Sequence, residues 1–289
     1  MPTRRKIPLN KIEGVSAGGR ATIDLRTDVR YHSIFLEYDT DTAGGATEAN
    51  METEVTNIDI NIDGVTQRKA SSSQIFDINR TKNVAPVVGN GTAPGYIPIL
   101  FSEPQRETQV EKEATAWGMG GVSDFQIEID IANIDGQVPS LKGFAIVDDA
   151  QEPPLGIVKW KRNVIQVAGA GELVYSLNTE RGESYQSLFM FEGQAGDIDD
   201  YLIEWDGVKI ADLTEYQHAA YIASMFNGNI DAVSGLIHLP FDDNHPVNAL
   251  KTVKTINGQQ MKIQELLLTL NMAAARNVTV ISELLGLPD

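Results

Sequence analysis

Four histidines, His32, His218, His238 and His245, have the clearest claim to chemistry in this chain. A transition-metal centre on a β-barrel needs several of them beside a carboxylate on adjacent strands. No two stand at i, i+2 or i+4, and they are spread over both halves of the chain, so they read as surface or half-buried packing residues. Carboxylates are abundant, with 40 Asp and Glu against 23 Lys and Arg. Asp59-Ile-Asn61-Ile-Asp63-Gly64 imitates the start of a calcium loop. Its twelfth position is Ala70 where a bidentate Glu is needed, and the intervening Ile residues impose strand alternation. Asp197, Asp199 and Asp200 crowd a short loop, as do Asp242 and Asp243. The first three are the candidates for a structural Ca2+, the one cofactor the sequence suggests. Trp117, Trp160 and Trp205 are scattered, so packing in a core or an interface is expected of them and not a sugar-stacking platform. There is no G-x-S-x-G elbow, no Walker loop, no dinucleotide fingerprint and no cysteine. No catalytic or cofactor-binding residue is assigned, and the many carboxylates leave a glycosidase pair open.

The net charge of −17 over 289 residues argues against a nucleic-acid-binding body, which needs a positive face. It also makes copies repel one another, and a bound Ca2+ between subunits would relieve that repulsion. Residues 1–11 run against the trend, with Arg4, Arg5, Lys6 and Lys11 and no acid. This basic N-terminal arm is expected to grip an acidic neighbour or an anionic surface. It lacks the apolar core of an export signal, and no run of 18 apolar residues follows, so neither secretion nor a membrane-spanning helix is expected.

The elements that must position these residues are mostly strands. Alternation marks Gly19–Leu25, the Ile58, Ile60, Ile62 run and the Phe125, Ile127, Ile129, Ile131 run, and apolar stretches cover Tyr31–Tyr38 and Leu141–Val147. Asp63-Gly64 supplies a hairpin turn. Two helices are expected, one capped by Ser71 and running to Asn79, the other capped by Thr214 over Glu215–Phe226. Asp39–Glu54, Ser102–Ser123 and Asp242–Gln260 read as long loops. Met261–Leu270 fits an amphipathic helix but is expected to be a strand with a bulge.

The halves repeat each other. Val15–Gly19 resembles Val167–Gly171, and Tyr31-x-Ser33-x-Phe35 resembles Tyr185-x-Ser187-x-Phe189. Asp63-Gly64-Val65 before a capped helix resembles Asp206-Gly207-Val208 before another. Tyr96–Phe101 pairs with Leu236–Phe241, and the run at Gly143 pairs with that at Asn277. Five matches in one order describe two copies of an all-β unit with about eight strands, a sandwich or a jelly roll. The organisation expected is a basic arm over 1–11, a first unit over 12–149, a linker over 150–155 and a second unit over 156–289.

The basic arm, the Ala17-Gly18-Gly19 strand start, Tyr31-x-Ser33-x-Phe35 and the Asp63-Gly64 hairpin with its capped helix, all but the arm occurring twice in a chain without cysteine, resemble a known family. It is the major capsid protein of tailless, internal-membrane bacterial viruses of the corticovirus type and of related marine viruses and prophages. The resemblance implies an all-β fold of two tandem jelly-roll β-sandwiches, a double jelly roll, with short helices in each half. It implies a bacteriophage structural coat protein without catalytic residues, forming pseudo-hexagonal trimers that tile an icosahedral virion. The implied partners are further copies, neighbouring capsomers, other capsid and membrane proteins, and an internal lipid membrane met by Arg4, Arg5, Lys6 and Lys11; no specific nucleic acid is implied. The location implied is the virion shell, after synthesis in the host cytoplasm. Two other classes stand beside it: a carbohydrate-binding or carbohydrate-active protein on a double β-sandwich, and a surface adhesion module, which the missing export signal disfavours.

Overall fold

The computed structural model describes residues 3–41, 46–89, 93–134, 136–152, 155–177, 182–225, 233–242, 248–256 and 258–289. The chain forms two compact units, Met1–Trp160 with Pro288–Asp289, and Lys161–Leu287. The first begins with β1 (Arg5–Pro8), β2 (Arg20–Asp24), β3 (Arg30–Thr40), α1 (Glu48–Glu54), β4 (Val55–Ile62), β5 (Val65–Ala70) and α2 (Ser72–Thr81). It continues with β6 (Gly95–Leu100), α3 (Gln109–Glu113), β7 (Trp117–Gly118), β8 (Phe125–Ile131) and β9 (Pro139–Asp148). The strand β10 (Ile157–Ile165) leads into the second unit, which contains β11 (Gly171–Ser176), β12 (Ser184–Phe191), β13 (Ile198–Trp205), β14 (Val208–Thr214) and α4 (Glu215–Met225). It ends with β15 (Leu236–Pro240), β16 (Leu250–Lys251), β17 (Val253–Ile256), β18 (Gln259–Lys262), β19 (Leu266–Met272) and β20 (Val278–Gly286).

Within the first unit one sheet runs β1-β9-β3-β6, with β7 also on β3, and the other runs β5-β4-β8-β2. Within the second the matching orders are β20-β12-β15, with β16 on β12, and β14-β13-β19-β11. The alternating strands behave as their patterns require. In β8 Phe125, Ile127, Ile129 and Ile131 point into the core while Gln126, Glu128 and Asp130 do not, and β19 repeats this with Leu266, Leu268, Leu270 and Met272. Met261–Leu270 is therefore strand, split between β18 and β19.

The internal repeat is written into the backbone irregularities. Asp63 and Gly64 take positive φ of 49° and 77°, and Asp206 and Gly207 take 47° and 75°. These angles belong to the hairpin turn, where a short polar residue and a glycine are tolerated and a β-branched one is not. Each aspartate then accepts two backbone N–H bonds through one Oδ1: Asp63 from Ser123 and Asp124 at 2.8 Å, Asp206 from Gln264 at 2.7 Å and Glu265 at 3.0 Å. The register shifts also recur. The pairing slips between Tyr31 and Ser33 and again between Tyr185 and Ser187. It slips at Val55/Asn57 and Ile198/Asp200, and at Ile60/Asn61 and Ile203/Glu204. The carbonyl of the bulged His32 accepts the Phe101 N–H at 2.9 Å, and that of the bulged Gln186 accepts the Phe241 N–H at 2.8 Å.

Three expected loops contain structure. Asp39–Glu54 holds the end of β3 and α1, which Thr47 starts by accepting the Asn50 N–H at 3.2 Å. Alternation has no bearing on so short a helix; it forms because Met51 is buried and because the Ser72 hydroxyl, 2.7 Å from both the Met51 and Val55 carbonyls, shares its one proton between them. Ser102–Ser123 contains α3 and β7, and Asp242–Gln260 contains β16, β17 and the start of β18. The two expected helices are present with the same cap: Ser71 exchanges bonds with Gln74, and Thr214 exchanges them with Gln217. Phe226, the expected end of the second, lies outside the described residues.

The Asp-Gly turns give the first test. Asp206→Ala removes an acceptor of two N–H groups and a residue suited to positive φ, so it is expected to cost about 1–3 kcal/mol in denaturant unfolding. Asp63→Ala is expected to do the same, and Asp206→Asn to recover part of the loss. Unchanged midpoints would show that the turns are not anchored by these carboxylates.

Candidate assembly site

The basic segment is the place to build from, because its charge opposes that of the whole body. Arg5–Pro8 is an edge strand, β1, antiparallel to β9 with Arg5 opposite Val147 and Pro8 opposite Phe144. Arg4 donates to Glu113 Oε1 at 2.8 Å, and Arg5 pairs with Asp149. Arg4, Arg5, Lys6 and Lys11 all remain exposed.

Behind β1 lies a chain of charges. Glu113 also meets Arg30 at 3.5 Å, and Arg30 grips Asp148 with two bonds, Nη2 to Oδ2 at 2.7 Å and Nε to Oδ1 at 3.2 Å. His32 Nε2 donates to Asp148 Oδ2 at 2.8 Å, and the Ala150 N–H adds a bond to Oδ1 at 2.9 Å. Asp148 is 1% exposed. Burial pulls its carboxyl upward, but the bonds from Arg30, His32 and Ala150 outweigh this and hold it below the usual carboxylate range. Burial also pushes His32 below its ordinary value, which keeps the imidazole neutral with its proton on Nε2 and leaves Nδ1 buried without a hydrogen-bond partner. Asp148, next to last in the first unit expected from the sequence, is the anchor of a buried network.

A second buried cation sits in the same unit. Arg68 on β5 is 2% exposed. Its guanidinium carbon lies 4.8 Å from the ring centroids of Trp117 and Trp160 and 5.4 Å from that of Phe101. Its Nε donates to the Val158 carbonyl at 2.7 Å and its Nη1 to the Leu100 carbonyl. Trp160 pairs with Arg68 in a parallel bridge that lays Ile157–Trp160 along the outer edge of β5. Aromatic faces and carbonyls thus stabilise a desolvated charge. Trp117 and Trp160, scattered in the sequence, converge here and are buried, so neither offers a sugar-stacking face; Trp205 donates its indole N–H to the Lys251 carbonyl at 3.1 Å.

In the second unit Asp197 is 2% exposed and already engaged, accepting the Gln194 N–H at 2.6 Å and pairing with Arg276 at 2.7 Å. Asp199 is exposed, and Asp200 accepts from Asn271 at 3.1 Å. The three do not converge, and among the described residues no group of three His, Asp or Glu side chains is placed to hold a metal ion. The three described histidines are buried, contrary to the surface or half-buried positions expected: His32 at 2%, His218 at 6% and His238 at 8% exposure. His245 and Asp243 lie outside the described residues. His238 stacks on Phe189 with centroids 4.6 Å apart, and His218 Nδ1 lies 2.7 Å from the Tyr201 hydroxyl. Burial pushes His218 down to about 4, a hydrogen bond to the His238 backbone pulling weakly the other way.

Comparison with known proteins places this geometry in context. A family model described as the viral coat protein P2 N-terminal domain matches residues 6–148, and one described as its C-terminal domain matches 157–288. The crystal structure of the major capsid protein P2 from bacteriophage PM2 is similar with a TM-score of 0.79 at 18% identity, over 98% of this chain and 97% of that one. The structure of Sulfolobus Turreted Icosahedral Virus is similar with a TM-score of 0.70 at 12% identity, over 99% and 91%. The PBCV-1 virus capsid is similar with a TM-score of 0.65 at 10% identity, over 97% and 92%. At these identities the likeness concerns the fold. No curated protein sequence matches the chain significantly.

Two outcomes follow from the site. Arg68→Leu removes the cation from its cage and strands the Leu100 and Val158 carbonyls, and is expected to cost about 2–4 kcal/mol in unfolding; a loss below about 0.5 kcal/mol would show the cage to be incidental. For His218 the folded value near 4 lies below the ordinary 6.5. Its stabilisation is therefore complete above about pH 6.5 and falls as pH drops toward 4, by at most about 1.4 kcal/mol per pH unit. His218→Gln is expected to flatten that limb of a stability–pH curve, and an unaltered limb would assign it to other groups.

Proposed function

Since the chain belongs to the viral coat protein P2 family, we propose that its copies assemble as trimers whose six similar units tile the facets of an icosahedral virion. The family is structural: the chain is a coat protein of the capsid shell, it associates with itself, and the carbohydrate reading falls away. The observation that supports the trimer is the repeat. Two units with the same strand order, the same bulges and the same Asp-Gly turns let a three-fold object present six near-equivalent sides. Near-equivalent sides allow head-to-tail contacts that close a ring.

Of the two partners expected for the basic segment, an internal membrane and a neighbouring subunit, the neighbour is better supported. Arg5–Pro8 is held flat in a sheet and its two arginines are engaged with Glu113 and Asp149. Such a segment presents a strand edge as well as a charge. A cation shared between subunits has no preformed ligand set in Asp197, Asp199 and Asp200.

Light scattering on the purified chain is expected to give about three times 31.6 kDa, unchanged by a calcium chelator. A monomer at micromolar concentration would overturn the trimer, and dissociation on chelation would overturn the assignment of a cation-free interface.

A further inference from the structure

The two units differ at one place where their topology is the same. β5 and β14 are counterparts, 143 residues apart by the Asp63 and Asp206 turns that precede them. Each is the last strand of its four-strand order and each leads into a capped helix. In the first unit the outer edge of β5 is covered by Ile157–Trp160, and Gln67 and Arg68 are buried to 0% and 2% exposure. In the second unit no strand lies outside β14 among the described residues. Ile210, the counterpart of Gln67, is 42% exposed. An apolar residue is therefore open to solvent where its polar counterpart is fully covered, on a sheet edge that carries unpaired N–H and C=O groups.

The strand that covers β5 is the first strand of the second repeat. The first strand of the first repeat is β1, which is itself terminal in its sheet. Charge supports the match. Around β14, Lys209 pairs with Asp212 and Lys254 with Asp206, which leaves Asp199, Asp200, Glu204 and Glu215 in excess. On and beside β1, Arg4 and Arg5 are engaged, which leaves Lys6 and Lys11 exposed and in excess.

We propose that the open edge of β14 is the docking site for β1 of a second copy of this chain, added as a parallel strand as Ile157–Trp160 is added to β5. The inference rests on the self-association read above and deepens it by naming the two edges. It also fixes a register. Gly19 and Gly171 set the repeat at 152 residues here, which makes Pro8 the counterpart of Trp160, and the 143-residue spacing makes Ala211 the counterpart of Arg68. The bridge between Trp160 and Arg68 then becomes one between Pro8 of one copy and Ala211 of the next.

The absence of cysteine makes this directly testable. A mixture of Pro8→Cys and Ala211→Cys full-length chains, oxidised and run without reductant, is expected to give a linked dimer that neither variant gives alone. The variant Lys6→Glu/Lys11→Glu is expected to need at least tenfold more protein for half-assembly at low salt, with its circular dichroism and thermal midpoint unchanged. A trimeric wild type, with no cross-link in the mixed cysteine variants and a mass that the charge reversal leaves intact, overturns the edge pairing while leaving the trimer standing. Loss of binding to anionic phosphatidylglycerol vesicles in that variant, with trimer mass retained, also overturns it, in favour of a lipid-facing segment. A monomeric wild type sinks the trimer itself.

Discussion

A β-sheet that stops leaves a row of unpaired backbone groups, and the organisation of this chain answers to that constraint. In the first unit the edge at β5 is closed by a strand, and the closure is fastened by Arg68 lying between Trp117 and Trp160. The opposite sheet ends at β1, a short basic strand whose arginines reach acids of the same unit. Short length and charge are common protections for an edge. A coat protein cannot protect every edge, because what is sealed within one copy is withheld from the next.

The buried charges follow the same logic. Asp148 ends β9 beside β1 and holds Arg30 and His32, so three residues that would each be costly to bury alone satisfy one another. Arg68 has the rings of Trp117, Trp160 and Phe101 and two backbone carbonyls around it. In both places the bonds join strands that are remote in sequence, so the network sets which strands lie together and not merely how firmly.

Much of this is legible in the residues. The period-2 Ile runs, the Asp-Gly turns and the capped helices identify strands, hairpins and helices because each depends on neighbours within a few positions. The repeat extends that reach, since Phe125–Ile131 shows what Met261–Leu270 must be despite its helical spacing. What could not be read depends on long-range convergence. Trp117 and Trp160 stand 43 positions apart and meet only because both approach Arg68. Asp148 opens a run of polar residues and looks solvated, until β3 brings Arg30 and His32 to it. The helix α1 lacks a periodic stripe and is stabilised by Ser72, more than 15 positions away.

The matched bulges bear on descent. A substitution changes a side chain and leaves the path of the backbone in place, whereas erasing a bulge requires losing a residue, which would turn every side chain on one flank to the wrong face. Tyr31/Ser33 and Tyr185/Ser187, Val55/Asn57 and Ile198/Asp200, and Ile60/Asn61 and Ile203/Glu204 have kept their irregularities while the residues around them diverged. Such kinks are inherited characters that change more slowly than the letters that spell them. A lineage of shells could be aligned by its bulges after its sequences have stopped being comparable.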